Sequence, residues 1–379
     1  MMRAMPSART SLLSAAVLAA CAGVSPRPED IAAADPPVRA LTTDEQAERT
    51  RLEQQARRAE IERRDGDAER LARLAIAVDA RSARGHAVLG LVLQRRADAH
   101  VPSDLALTNQ ADGETMLATR FAPADPIVGL LRGTFLARSG HVSAAAAAGE
   151  AGLRNGGPGT GAETDELLAA TAEWCYELGE EKRAVPWLRL LAERRPEDAA
   201  TQFRLGNSLL RIAENESEVK SAVEAAHSFA RCAELTPGDG DARFAIAAAW
   251  VRAAELAEKL PDAAERAAER ARCLEQAAAA CTEAAGRFPR SAEPCFRAGV
   301  VAERRGDDAA ARAAYAEALQ RDADHLASLL DFAALLAASD ADADRAQAKE
   351  LWRRALDVDR RSGGLRAGER TRIERLLAR

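Results

Sequence analysis

Ala292–His325 reads AEPCFRAGVVAERRGDDAAARAAYAEALQRDADH, a self-contained stretch of 34 residues. Two helical patterns meet at Gly306-Asp307, where Gly ends the first helix and Asp opens the second. Small residues stand at Gly299, Ala311 and Ala318, positions 8, 20 and 27 of the stretch. Those are the positions where two helices crossing at close range leave no room for a larger side chain. Larger groups at positions 4 and 24, Cys295 and Tyr315, fill the space between. The pattern predicts an antiparallel helix pair, and no strand signal interrupts it.

The same frame tiles outward. Asp165–Asp198 places Ala172, Gly179, Ala184, Leu188 and Pro196 in equivalent positions. A unit from Ala199 follows with Gly206, Ala225, Phe229, Cys232 and Pro237, and carries an insertion of about seven residues. A longer unit from Gly240 has Ala247, Ala277, Cys281, Ala284 and Pro289 in register, with helices expected near 241–259 and 262–286. Unit 326–359 closes with Ala348, Trp352, Ala355, Leu356 and Asp359. Weaker copies cover 49–82, 83–125 and 126–157, through Ala68, Ala75 and Asp79, then Gly90, Ala111, Ala118 and Pro123, then Gly133, Gly140 and Ala145. This repeat resembles the tetratricopeptide repeat (TPR). The resemblance implies an all-α, right-handed α-solenoid of about eight TPR-like helix pairs. A C-terminal capping helix within 361–379, near Leu365–Ala378, would cover the last apolar face. Residues 45–157 form the divergent N-terminal repeats and 165–360 the regular C-terminal ones, with 158–164 expected as a Gly-rich hinge.

Composition agrees with such an array. The chain has 379 residues, about a quarter of them alanine, the best helix former. Aromatics make up 4%, too few for the core of a β-sandwich or barrel. The net charge of −6 lacks the basic footprint of a nucleic-acid binder.

The N-terminus reads as an address. Residues 1–20 carry Arg3 and Arg9, then an apolar run of about ten residues, Ser11–Ala20. That run is too short to cross a bilayer and right for a signal-peptide core. It ends in Leu18-Ala19-Ala20-Cys21, which resembles the bacterial lipoprotein signal. The resemblance implies cleavage before Cys21 and lipidation of its thiol, with 21–44 as a Pro-rich tether (Pro26, Pro28, Pro36, Pro37). Two or three acyl chains hold a protein firmly on a membrane. Ala22, in place of the Asp that retains such proteins in the inner membrane, implies an outer-membrane location facing the periplasm.

Signals for chemistry are sparse. The five His residues show no metal-ligand spacing, and no nucleophile elbow is present. NGGPGTG at 155–161 lacks the Gly-Lys-Ser/Thr of a phosphate loop. No catalytic residue, metal site or cofactor is expected. Cys175, Cys232, Cys281 and Cys295 fall at core positions, where Cys acts as a small hydrophobe. Cys281 and Cys295, on helices that should pack together, are the best candidates for a disulfide.

One pattern points to a partner. In the fold implied by the resemblance, the first helix of each pair lines a concave groove. Position 5 reads Phe203, Phe244, Phe296 and Leu330 in the last four units, taking three of only eight phenylalanines. Position 13 reads Arg95, Arg138, Glu177, Arg211, Arg252 and Arg304 in units two to seven. Together with Asn207 at position 9, these predict an apolar floor beside a row of guanidinium groups. Such a groove suits a protein or peptide with acidic residues or a carboxylate. Aromatic packing and the helix dipole account for the same residues without a partner. The expected function is a membrane-anchored scaffold or adaptor of the cell envelope. The alternatives are a periplasmic binding module for a small anionic ligand or cell-wall fragment and, more distantly, a diverged hydrolase.

Overall fold

The computed structural model describes residues 35–157, 159 and 161–378. Among them are seventeen α-helices and no strand. They pair as α1 Thr43–Ile61 with α2 Asp65–Val78, α3 Ala83–Asp98 with α4 Leu105–Phe121, α5 Pro126–Arg138 with α6 Val142–Gly156, and α7 Ala162–Glu177 with α8 Glu181–Arg194. Then come α9 Ala199–Glu216 with α10 Val219–Leu235, α11 Gly240–Ala257 with α12 Ala263–Arg287, α13 Glu293–Arg305 with α14 Asp308–Arg321, and α15 Leu326–Ala337 with α16 Asp342–Ser362. A seventeenth helix, α17 Ala367–Leu377, follows alone. The described residues thus carry the eight TPR-like pairs and terminal helix that the repeat spacing implies. The signal segment, Cys21 and the first part of the tether lie outside the described residues.

The chain divides into two compact units, Met1–Trp187 and Leu188–Arg379. The boundary falls within α8, whereas the sequence points to a hinge at 158–164. The physical reason is that the Gly-rich link does not separate its neighbours. Helix α7 begins inside it, at Ala162, and packs against both α6 and α5. Within each compact unit first helices pack on their own partner and on the second helix of the preceding pair, as α3 does on α4 and α2, and α11 on α12 and α10. First helices also lie side by side, as in α1 with α3, α3 with α5, and α5 with α7, or α9 with α11 and α11 with α13. Within each compact unit these first helices therefore form a layer, and the layer of Leu188–Arg379 carries Asn207 and Phe244.

Small residues do what the spacing requires. A Cβ placed on Gly206 would lie 2.7 Å from the Phe229 ring, and one on Gly299 would lie 2.5 Å from the Tyr315 ring. Gly133 meets Trp174 in the same way. Helix ends are set by local signals. Asp104, Asp125, Asp198, Asp239, Asp262 and Asp307 each accept a first-turn backbone N–H as N-caps. Such a cap contributes about 1 kcal/mol. Gly306 terminates α13 at φ +77°, the left-handed conformation that glycine adopts without steric cost.

Alanines Ala311, Ala318, Ala348 and Ala355 are fully buried between helices. Phe296, Tyr315, Phe332 and Trp352 belong to the same core. Ile373 of α17 closes this core. Helix α17 is held by Asp359, whose carboxylate accepts the Leu365 N–H at 2.9 Å and pairs with Arg370. No helix of the described residues is long and apolar enough to cross a membrane.

Candidate functional site

The first-helix layer of Leu188–Arg379 contains a cavity of about 440 Å³. Asn207 and Leu210 of α9, Phe244, Ala245 and Ala248 of α11, and Glu293 and Arg297 of α13 line it, with Asp241 at the start of α11. Two residues singled out from the sequence, Asn207 and Phe244, thus meet at one opening. Phe244 is half-buried, and its ring stands edge-on to Phe288 at 5.5 Å. The alanines at 245 and 248 keep the space open beside it.

The other position-5 side chains serve packing first. Phe203 is half-buried, edge-on to Phe229 at 5.5 Å, against Cys232, Ala233 and Ala242. Phe296 is only 7% exposed. Tyr315 and His325 enclose it, and the Arg297 guanidinium lies 5.3 Å from its ring centre. Leu330 packs, partly buried, on the same core. The apolar floor open to a partner is therefore Phe244 with its alanines and Leu210.

The position-13 arginines are largely answered by carboxylates of this chain. Arg95, 9% exposed, bridges Glu60 at 2.7 Å and Asp65. Arg138 meets Asp98 at 2.7 Å. Arg252 and Arg304 share Glu255, at 3.0 and 2.6 Å. Arg211 is exposed on the last turns of α9. A guanidinium held between carboxylates cannot greet an incoming acid at full charge, and a buried one such as Arg95 must be paired to persist. Sequence reasoning missed Glu255, Asp241, Glu293 and Arg297. The first was within reach, since Glu255 follows Arg252 at the i,i+3 spacing of helical ion pairs.

In Met1–Trp187 the first helices are laced together by charge. Arg57 of α1 reaches Glu166 of α7 at 3.1 Å, and Arg84 of α3 joins Asp125 at 2.7 Å and Glu163 at 2.7 Å. A cavity of about 310 Å³ lies beside these pairs, with Arg57, Arg58 and Arg84 facing Glu53, Glu62 and Glu163. Burial pushes the Glu53 carboxyl above its ordinary range, although Ser82 donates to it at 2.7 Å. Converging arginines are present here, each offset by acid.

The cysteines carry no visible chemistry. All five of the described ones are unpaired and buried, so the Cys281–Cys295 disulfide is not formed. Both face one cleft of about 350 Å³ on α12, α13 and α14. Burial pushes Cys281 up to about 12, and burial with the charge of Glu150 pushes Cys175 up to about 11. Thiols held that high are protonated and poor nucleophiles. Asp331, half-buried near Glu303, is also shifted upward by desolvation, with the Glu303 charge adding to it. Glu303 itself accepts the Tyr315 hydroxyl at 2.8 Å. Among the described residues no group of three His, Cys, Asp or Glu could hold a metal ion.

No family model and no curated protein matches the sequence. Solved structures similar to this chain are TPR proteins. YrrB, described as a TPR protein with an unusual peptide-binding site, is 16% identical, with a TM-score of 0.40 over 57% of this chain and 95% of its own. The thermophilic TPR protein TTC0263 of Thermus thermophilus is 18% identical, with a TM-score of 0.41 over 57% of this chain and all of its own. A TPR protein of Parabacteroides merdae is 16% identical, with a TM-score of 0.39 over 76% of this chain and 98% of its own.

Proposed function

We propose that this protein is a scaffold of the cell envelope that binds a segment of another protein on the first-helix face of Leu188–Arg379. The observation that carries this reading is the cavity of about 440 Å³ in which Phe244, Leu210 and two alanines form an apolar floor beside the amide of Asn207. An apolar pocket with a few convergent polar groups on rigid helices is the usual form of a recognition site. Lipidation at Cys21, following the Leu-Ala-Ala-Cys signal, would tether the protein to the outer membrane on the periplasmic side. The Pro-rich tether would hold the repeats clear of the surface.

The alternative of a small anionic ligand has less support. It requires arginines that converge without acids, and Arg57, Arg84, Arg252 and Arg304 are all in ion pairs.

The test is retention of partners from a membrane extract by the full chain and by Ala248→Trp, which fills the cavity from a half-buried position. Loss of specific partners with unchanged circular dichroism supports the reading. Equal retention sinks it. Fractionation of Cys21→Ser addresses the anchor separately: release from the membrane fraction is expected, and continued sedimentation with membranes would overturn lipidation.

A further inference from the structure

On another face of α13, two free thiols open onto one cleft, and none of the groove's lining residues takes part. The cleft, of about 350 Å³, lies between α12, α13 and α14. Cys281 enters it from α12 and Cys295 from the first turn of α13. They are 3% and 5% exposed, and neither is in a disulfide. Ala278, Ala298, Ala302 and Ala314 line the rest, so short side chains keep the space beside the thiols open.

Their spacing suits a shared ion better than a bond to each other. Helices α12 and α13 are consecutive and antiparallel, joined by the short link 288–292. Cys281 lies six residues before the end of α12, and Cys295 two residues after the start of α13. At about 1.5 Å per residue these depths differ by about 6 Å along the axes. Across an interaxial distance of about 8–10 Å, the two Cα atoms stand about 10 Å apart, and side chains stretched toward each other leave their sulfurs about 4–5 Å apart. A disulfide needs Cα atoms within about 7 Å. A sulfur–metal–sulfur bridge spans about 4.6 Å, at about 2.3 Å for each metal–thiolate bond.

We propose that Cys281 and Cys295 together bind one soft monovalent cation of the Cu(I) class. Among the described residues no group of three His, Cys, Asp or Glu could hold a metal, so the pair offers two ligands. A structural zinc site needs four, and hard ions need oxygens. Thiolates select soft ions, and Cu(I) and Ag(I) are satisfied by two sulfurs in line. Burial keeps both thiols protonated and poor as nucleophiles, but a soft cation displaces the thiol proton outright. Two sulfur–metal bonds form, two S–H bonds break, and both protons leave to solvent. The site then gains one net negative charge. The four charges lining the cleft cancel, Arg305 and Arg321 against Asp307 and Glu317. Arg321 is held by Glu317 at 2.6 Å and Asp307 caps α14. Arg305 donates to the Leu274 carbonyl at 3.0 Å and, among the described residues, to no carboxylate, which leaves its charge to answer the new one.

The experiment titrates Ag(I) into the reduced full chain carrying Cys21→Ser, so that the N-terminal thiol takes no ion. The solution is free of chloride and contains methionine, whose thioether competes for stray single sites. Native mass spectrometry should show about one retained Ag(I) per chain, and a pH-stat about two protons released per ion. X-ray absorption should count two sulfur neighbours around the silver. Cys281→Ala and Cys295→Ala should each lower retention about tenfold or more, because either leaves half a site, whereas Cys175→Ala should retain the ion like the parent. Each substitution exchanges one small buried side chain for another, and circular dichroism checks the fold. Should a variant unfold, the proton and sulfur counts of the parent chain decide. No retained ion in the parent, one proton or one sulfur neighbour per ion, or unchanged retention in either folded alanine variant overturns the shared site.

Discussion

Gly299→Ala is the sharpest probe of the repeat packing. The added methyl would lie 2.5, 2.6 and 3.0 Å from three atoms of the Tyr315 ring. That ring cannot yield easily. It is fully buried, its hydroxyl is tied to Glu303 at 2.8 Å, and it packs between Phe296 and Phe332. Overpacking of a closed core costs about 1–3 kcal/mol, and three sub-contact distances put this case near the upper end. Replacing a helical Gly by Ala returns about 1 kcal/mol of propensity. The net expectation is a loss of about 2 kcal/mol, or about 4–8 °C in Tm for a cooperative unit of this size. Gly286→Ala supplies the control. It lies in the last turn of α12 with nothing within 4 Å of its would-be Cβ, so only propensity changes. That variant should melt at the wild-type temperature or up to about 4 °C above it. Thermal and urea melts followed by circular dichroism decide. If Gly299→Ala melts at or above wild type, or the two variants move together, then α13 and α14 do not cross where the structure places them.

Three further outcomes are expected. His86 is buried with Nδ1 at 2.6 Å from the Glu114 carboxylate and Nε2 at 3.1 Å from the Ala80 carbonyl, so both nitrogens face acceptors. Burial alone would lower its pKa, but the hydrogen bond and charge of Glu114 outweigh it and the pKa is raised. Its stabilisation is therefore complete below the ordinary His value of about 6.5 and lost as pH rises through the elevated one. The urea midpoint of the Met1–Trp187 transition should fall between pH 6 and pH 9, and fall less in His86→Gln; equal falls would refute this. Iodoacetamide at pH 8 should leave Cys175, Cys273 and Cys281 unmodified in the folded chain, while all five repeat cysteines should react in urea without reductant. A peptide pair linked through Cys281 and Cys295 in the mass spectrum would contradict the unpaired assignment. Glu255→Gln should cost under about 1 kcal/mol of stability, because its pairs are partly solvated.

The helix pairs were legible because their signals are local. Gly299 and Gly306, the capping Asp307 and the aromatic at 315 lie within one unit, and each acts on its near neighbours. The extended helices of the unit from Gly240 were legible for the same reason, and α11 and α12 lie within two residues of their expected ends. What the spacing could not show was pairing between repeats. Arg304 finds Glu255 from 49 residues away, and that meeting depends on how two pairs stack. Phe296 is buried because His325, which caps the first helix of the following repeat, closes over it. A row of arginines in sequence became a set of ion pairs in space for this reason. The unit boundary inside α8 has no compositional mark, whereas the Gly-rich run at 158–164 has one and does not separate the units.

The central claim is that the first-helix face of Leu188–Arg379 is where a partner binds. A photo-crosslinking side chain placed in the native envelope at Ala248, in the cavity, and separately at Ala279, in a cleft formed by α10, α11 and α12, tests it most directly. The account predicts a discrete protein adduct from position 248, mapped by mass spectrometry to one segment of a partner, and none of that identity from position 279. The same adduct from both positions, or none from 248, would contradict it.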